Sequence, residues 1–291
     1  MSRLITTTSG RVSVDLVREL ERLPAEPTAA MRVLWMADDV DSSSDDLGGV
    51  VSADPGLTAR IMRMANSAYY GLSGRVRSAA FAVTVLGFST VRSLAAAMAA
   101  GALEDGVTLP PGFWLHSSTV ATAAAVVAPR VGARHAEAFS LGLLHDLGRF
   151  ILHRADTDGY LALSAEVDHE DAELVRAERQ TYGIDHPEAA SRVLKAWHFP
   201  DDVVDSLANH HEPPSRIKTA LSRALVAGEA LARVAMIEGD DDDGRAELTA
   251  AIVAEEADAL ALARIEADVL GPLALQVRRG GELLAAALRT S

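Results

Sequence analysis

Cysteine is absent from the 291 residues. That excludes disulfide frameworks, thiolate zinc sites and cysteine nucleophiles, so any metal must be held by His, Asp and Glu. Aromatic residues are scarce, at 4% of the chain, although apolar residues reach 49%. Most of that content is Ala, Leu and Val, which suits close-packed helices and is enough for a sizeable core. Positive charge is also short: 27 Lys and Arg face 41 Asp and Glu, a formal net charge of −14. An acidic surface repels nucleic acid and anionic membranes, so direct nucleic-acid binding is not expected. The opening MSRLITTTSGRVSV lacks the apolar segment of a signal peptide. The most apolar stretch, 93–103, falls short of the roughly 20 residues a spanning helix needs. A cytoplasmic protein with no membrane partner is the expectation. No stretch reads as a strand, and no short-period repeat is visible.

What remains is helical periodicity almost everywhere. Helices are predicted over 12–23, 28–37, 54–71, 78–86, 90–100, 113–128, 133–152 (one or two), 166–182, 186–197, 201–211, 217–238, 245–270 and 282–289. Two starts are marked by an acceptor followed by proline: Asp54-Pro55, and Asp185 ahead of Pro187. The loop 101–112 carries Pro110-Pro111. Gly239 to Gly244 encloses four aspartates, which reads either as a boundary or as a solvated loop. This acidic run lacks the alternating ligands of a calcium loop. Arg278-Arg279-Gly280-Gly281 reads as a helix C-terminus followed by glycines. The apolar positions of 246–270 could pack on the core or mediate a homodimer.

The strongest local signal is Leu144-His145-Asp146-Leu147-Gly148-Arg149. An ionised carboxylate inside an apolar stretch needs a cation or strong donors beside it. Adjacent residues of a helix point about 100° apart, so this pair converges only on a point at the edge of the helix face. A metal ion or an arginine could sit there; an ordinary hydrogen-bonded His–Asp pair is the alternative. Four more histidines, His116, His186, His210 and His211, fall at helix ends or on apolar helices. Imidazole with carboxylate suits Fe, Mn, Ni, Zn or Mg better than a soft metal.

Several motifs in order carry a resemblance. They are Asp54-Pro55-Gly56-Leu57, Ala65-Asn66-Ser67-Ala68-Tyr69-Tyr70-Gly71, Leu86-Gly87, Gly142-Leu143-Leu144-His145-Asp146-Leu147-Gly148, Trp197-His198-Phe199-Pro200 and Asn209-His210-His211-Glu212-Pro213. From about residue 16 to 233 the chain resembles the HDOD domain, a branch of the HD superfamily of metal-dependent phosphohydrolases. The resemblance implies an all-α, HD-type helical bundle of two packed lobes. On this basis 1–15 is a tail, 16–235 the HDOD domain (lobes about 16–110 and 111–235), and 236–291 a C-terminal helical extension.

The resemblance also implies roles, position by position. His116, on the helix before the pair, His145 and Asp146 match ligands of metal-binding HD proteins, with Asp146 as the bridge. His186, His210 and His211 match later ligands of the related HD-GYP phosphodiesterases. Glu229 stands where those enzymes have an aspartate. Their Gly-Tyr-Pro block is replaced by Pro213-Pro214-Ser215, and the basic residue after the HD motif is Arg149.

HDOD proteins generally act as signalling modules. The leading expectation is therefore a non-catalytic regulator that binds a signalling protein or a nucleotide second messenger, presenting Asn66, Tyr69 and Tyr70 to its partner. The alternative is a metal-dependent phosphodiesterase or phosphohydrolase of a cyclic dinucleotide, with one or two divalent ions, Asp146 at the centre and Arg149 clamping phosphate. A structural ion tying helices together is the third reading.

Overall fold

The computed structural model describes residues 14–22, 28–37, 39, 41–166, 171–237 and 242–289. Among them there is no strand. Helix α1 covers 14–21. The first lobe then builds from α2 (Ala29–Met36), α3 (Ser44–Ser52), α4 (Pro55–Ala65), α5 (Ala79–Leu86) and α6 (Phe88–Ala99). The second comprises α7 (Phe113–Val131), α8 (His135–Leu144), α9 (Leu147–Ala155), α10 (Thr157–Glu166), α11 (Asp171–Tyr182), α12 (His186–Ala196), α13 (Asp201–Ala208) and α14 (Ala220–Ala235). Three helices follow: α15 (Asp242–Glu255), α16 (Ala257–Leu262) and α17 (Ala267–Leu288). No single described helix is long and apolar enough to cross a membrane; α5 and α6 pass only as a pair bent by 109°.

The caps read from sequence do local work. Asp54 accepts the Leu57 amide at 2.9 Å, with Pro55 as the first helical residue of α4. Asp185 accepts the Glu188 amide at 2.9 Å and starts α12. Each satisfies an amide that the first helical turn leaves unpaired.

The second lobe is organised around α7, which packs against α8, α14 and α17. Its face is Ala-rich, and glycines let the partners approach. A methyl on Gly142 of α8 would lie 2.7 Å from the Ala121 Cα, and one on Gly228 of α14 would lie 2.6 Å from the Ala124 nitrogen. Helix α6 packs on α8 and joins the lobes, while α17 touches α4 of the first lobe as well as α7 and α14. Helix α1 docks on the second lobe: Trp197 Nε1 donates to the Leu20 carbonyl at 2.9 Å, and Arg192 makes a forked pair with Glu21.

Several expected boundaries move. Helix α7 runs through Pro129 to Val131 and stops at left-handed Gly132. Helix α6 starts at Phe88, two residues before the expected position, and has no side-chain cap. The single helix expected over 245–270 is divided between α15, α16 and the start of α17, and α10 was not foreseen. Gly280 and Gly281 lie inside α17 rather than after a helix end. They face Thr122 and Thr119 of α7, where a methyl on either would come within 2.6 Å of a threonine side-chain atom. The N-terminal tail over 1–13, and Asp240 and Asp241 of the acidic run, lie outside the described residues.

Candidate metal centre

Side chains from five segments meet in the second lobe. His116 comes from the first turn of α7. His145 and Asp146 occupy the break between α8 and α9, where Asp146 has φ −98° and ψ 12°. At that break both side chains turn toward one point, with His145 Nε2 3.6 Å from Asp146 Oδ2. His186 is the first residue of α12, His210 and His211 follow the end of α13, and Glu229 projects from the middle of α14.

The ligating atoms fall into two overlapping groups. His116, His145 and Glu229 form one, and Asp146, His186, His210 and His211 the other, with the atoms of each group all within 4.8 Å of one another. Asp146 faces both. Its Oδ2 lies 3.4 Å from His116 Nε2 and 3.6 Å from His145 Nε2, while its Oδ1 lies 3.5 Å from His186 Nε2. His116 and His145 bring their Nε2 atoms to 3.1 Å, and His186 and His211 theirs to 2.9 Å. Glu229 Oε1 is 4.0 Å from His145 Nε2.

Hydrogen bonds behind the rings aim them. Nδ1 of His145 faces the Gly142 carbonyl at 2.8 Å, Nδ1 of His210 faces the Leu207 carbonyl at 2.6 Å, and Nδ1 of His186 faces Glu178 Oε2 at 2.7 Å. An oxygen at Nδ1 places the proton there and leaves the Nε2 lone pair for the centre. His210 Nε2 is buried and has no hydrogen-bond partner. A lone pair that is desolvated, aimed and unsatisfied costs free energy unless something binds it.

The electrostatics run the same way. Burial pushes His145 down to about 4 and His210 down to about 3, so both rings are neutral and able to ligate. Burial also lowers His116, against the pull of Asp146, and lowers His211 well below the ordinary value. Burial would raise Asp146, but His145, Arg149, His116 and His186 outweigh it and hold its carboxyl well below the usual range. His186 goes the other way: burial lowers it, and the Glu178 charge and hydrogen bond more than compensate. Arg149 donates to Asp146 Oδ2 at 3.1 Å. Three carboxylates, Asp146, Glu178 and Glu229, are thus buried within one small volume. Concentrated buried negative charge of this kind is stable only with cations beside it. Orphaned nitrogen, neutral imidazoles and buried carboxylates together fit divalent metal.

Glu178 and Tyr160 were not singled out from sequence. The Tyr160 hydroxyl donates to Glu178 Oε1 at 2.6 Å, while Glu178 Oε2 also accepts the His186 amide at 2.8 Å. The signal was present: Leu174, Glu178 and Tyr182 are spaced four apart on α11 and all are buried, so a carboxylate interrupts an apolar stripe. The mouth of the centre is a cavity of about 200 Å³ between His211, Pro213, Glu229 and Glu256.

The other expected residues lie elsewhere. The Asn66 side chain clamps Val76, donating to its carbonyl at 2.9 Å and accepting its amide at 3.0 Å. Tyr69 and Tyr70 are half-buried, packed edge to face at 5.0 Å, and Tyr69 also approaches Phe139.

The HDOD domain family model matches residues 23–213, about two thirds of the sequence. The chain belongs to the HDOD domain family. Among solved structures, this HDOD chain is similar to a Shewanella amazonensis SB2B protein described as "Putative phosphohydrolase". The two share 29% identity and a TM-score of 0.68, over 96% of this chain and 98% of that one. It is also similar to a Marinobacter aquaeolei VT8 protein described as "Putative signal transduction protein", at 25% identity and TM-score 0.60, over 87% of this chain and 65% of that one. A curated Treponema pallidum protein without a functional name is 21% identical over 222 residues, or 72% of this chain. The match spans 42% of that relative's length.

Proposed function

We propose that this HDOD chain binds two divalent metal ions and is a metal-dependent phosphohydrolase. The observation that carries the reading is the completeness of the ligand set. Seven side chains from five segments meet in two adjoining groups, and the two oxygens of Asp146 face one group each. The likeness to the Shewanella phosphohydrolase-like structure over nearly its whole length supports it.

Bound divalent ions supply Lewis acidity and lower the pKa of water toward neutrality. The chain's residues do the rest. His116, His145, Glu229 and Asp146 would hold one ion, and His186, His210, His211 and Asp146 the other. Arg149 is kept charged by Asp146 and steadies that carboxylate through its Oδ2. The walls around His145 and His210 exclude bulk water, while the mouth at His211 admits substrate. A cavity of about 200 Å³ favours the phosphoester end of a substrate over an entire cyclic dinucleotide.

A second reading is favoured by two specific features. Pro213-Pro214-Ser215 begins a tight turn at the mouth, and Arg149, the expected phosphate clamp, is engaged by Asp146. Both suit a signalling module in which the ions fix helix positions and a partner reads the result, in keeping with the Marinobacter relative. Metal analysis of the purified protein, with hydrolysis of a phosphomonoester and phosphodiester panel, tests both. Two ions and turnover, both lost in Asp146→Asn, are expected. Two ions with no turnover on any substrate would leave the signalling reading. No bound metal would sink both.

A further inference from the structure

The two halves of the centre are chemically unequal. His116, His145, Glu229 and Asp146 Oδ2 offer two nitrogens and two oxygens; His186, His210, His211 and Asp146 Oδ1 offer three nitrogens and one oxygen. Carboxylate-rich sites suit hard ions, and imidazole-rich sites suit borderline transition metals. By charge alone the nitrogen-rich half is the weaker, since Glu229 stands in the other half.

Glu178 redresses that balance from behind. It is fully buried and lies directly behind the His186 ring. One oxygen takes both the His186 ring Nδ1–H and the His186 backbone amide, at 2.7 and 2.8 Å; the other takes the Tyr160 hydroxyl at 2.6 Å. Three donors leave the carboxylate no freedom to rotate. His145 and His210 have only neutral backbone carbonyls in the equivalent place. A carboxylate behind a ligating imidazole raises its basicity and fixes its orientation.

Resting on the two-metal reading above, we infer that Glu178 is a positioning residue that acts through His186 to make the nitrogen-rich half the tighter subsite, so that it fills first and with a borderline transition metal. The oxygen-richer half fills second and accepts harder ions.

The test is Zn2+ titration of chelator-stripped full-length protein by calorimetry. Wild type should bind in two steps. Glu178→Gln keeps the shape and a hydrogen-bond acceptor but loses the charge. It should weaken the tighter step by about 10–100-fold and leave the weaker step within about threefold. Glu229→Gln should weaken the other step alone. Two wild-type ions with unchanged affinities in Glu178→Gln would overturn the inference and leave the two-metal reading standing. Equal weakening of both steps would overturn it too. No Zn2+ binding by wild type would remove both. A second measurement needs no variant that might unfold: ring nitrogen resonances of the wild-type histidines during the first equivalent of Zn2+. His186, His210 and His211 should shift before His116 and His145; the opposite order would overturn the inference.

Discussion

Gly148 is required because the first turn of α9 lies directly on the start of α12. A methyl at its Cα would sit 1.9 Å from the His186 carbonyl oxygen. The glycine of the His-Asp-Leu-Gly motif is therefore what lets Asp146 and His186 come together from neighbouring helices. Gly148→Ala should cost at least about 1–3 kcal/mol by overpacking and should also weaken metal binding. Gly49, in α3, has nothing within 4 Å of such a methyl. Gly49→Ala should stabilise by up to about 1 kcal/mol through helix propensity. Urea unfolding of both variants checks the contrast, and equal effects would contradict it. His153 gives a separate residue-scale expectation. It is fully buried on α9, both ring nitrogens lack partners, and its ring meets Tyr160 edge on. Burial lowers its pKa below 6.5, so the folded protein holds it neutral. The unfolded chain takes up the proton first as pH falls through about 6.5, so this residue's contribution is present above that pH and is lost below it. His153→Leu should flatten the acid side of the stability–pH curve, by at most about 1.4 kcal/mol per pH unit. A slope between pH 7 and pH 5 that matches wild type would refute the assignment.

At the scale of the element, caps divide into those that serve only the helix and those that also serve the centre. Asp54 and Asp185 make the same bond to the same position, yet α4 carries no residue of the candidate centre and α12 begins with His186. Asp185 is further tied to Arg179. Asp54→Ala and Asp185→Ala should each cost about 1 kcal/mol of stability. Only Asp185→Ala should also lower metal affinity, and calorimetry on the two variants reads the difference. These two caps were legible in the sequence because a cap is a local event. So were the histidines that meet at the centre, through the order of their motifs. A break within 133–152 was allowed for, but its place between α8 and α9 was not legible, because nothing local in Leu144-His145-Asp146-Leu147 demands it; it accompanies the contact of Gly148 with α12. Gly280 and Gly281 misled for the same reason. Glycine after an amphipathic run reads as a helix end, whereas here it admits α7. Glu178 was hidden because its partners lie eight and eighteen residues away and on other helices.

For the whole molecule, the question is whether the last helices are an appendage or part of the bundle. The family match ends at residue 213, which places α14 and everything after it beyond the shared model. The packing runs across that limit. Helix α14 supplies Glu229 and much of the cover over α7, and α17 fills the remaining side of α7 while touching α4 in the other lobe. Val277 and Leu284 of α17 are fully buried, and the Arg63 guanidinium donates to the Arg289 carbonyl at 2.9 Å. A helix so placed should unfold with the bundle and not before it. Leu284→Ala should therefore lower the stability of the whole chain by about 2–4 kcal/mol, the usual cost of a cavity in a closed core. Because α17 carries no ligand, metal stoichiometry should be unchanged in the folded variant. Circular dichroism follows the helices, and intrinsic tryptophan fluorescence follows Trp35 on α2, Trp114 on α7 and Trp197 after α12. The two unfolding curves should coincide in wild type and shift together in Leu284→Ala. An early loss of helix signal with the tryptophans still in their native environment would mean that α17 is an independent unit laid on a finished domain.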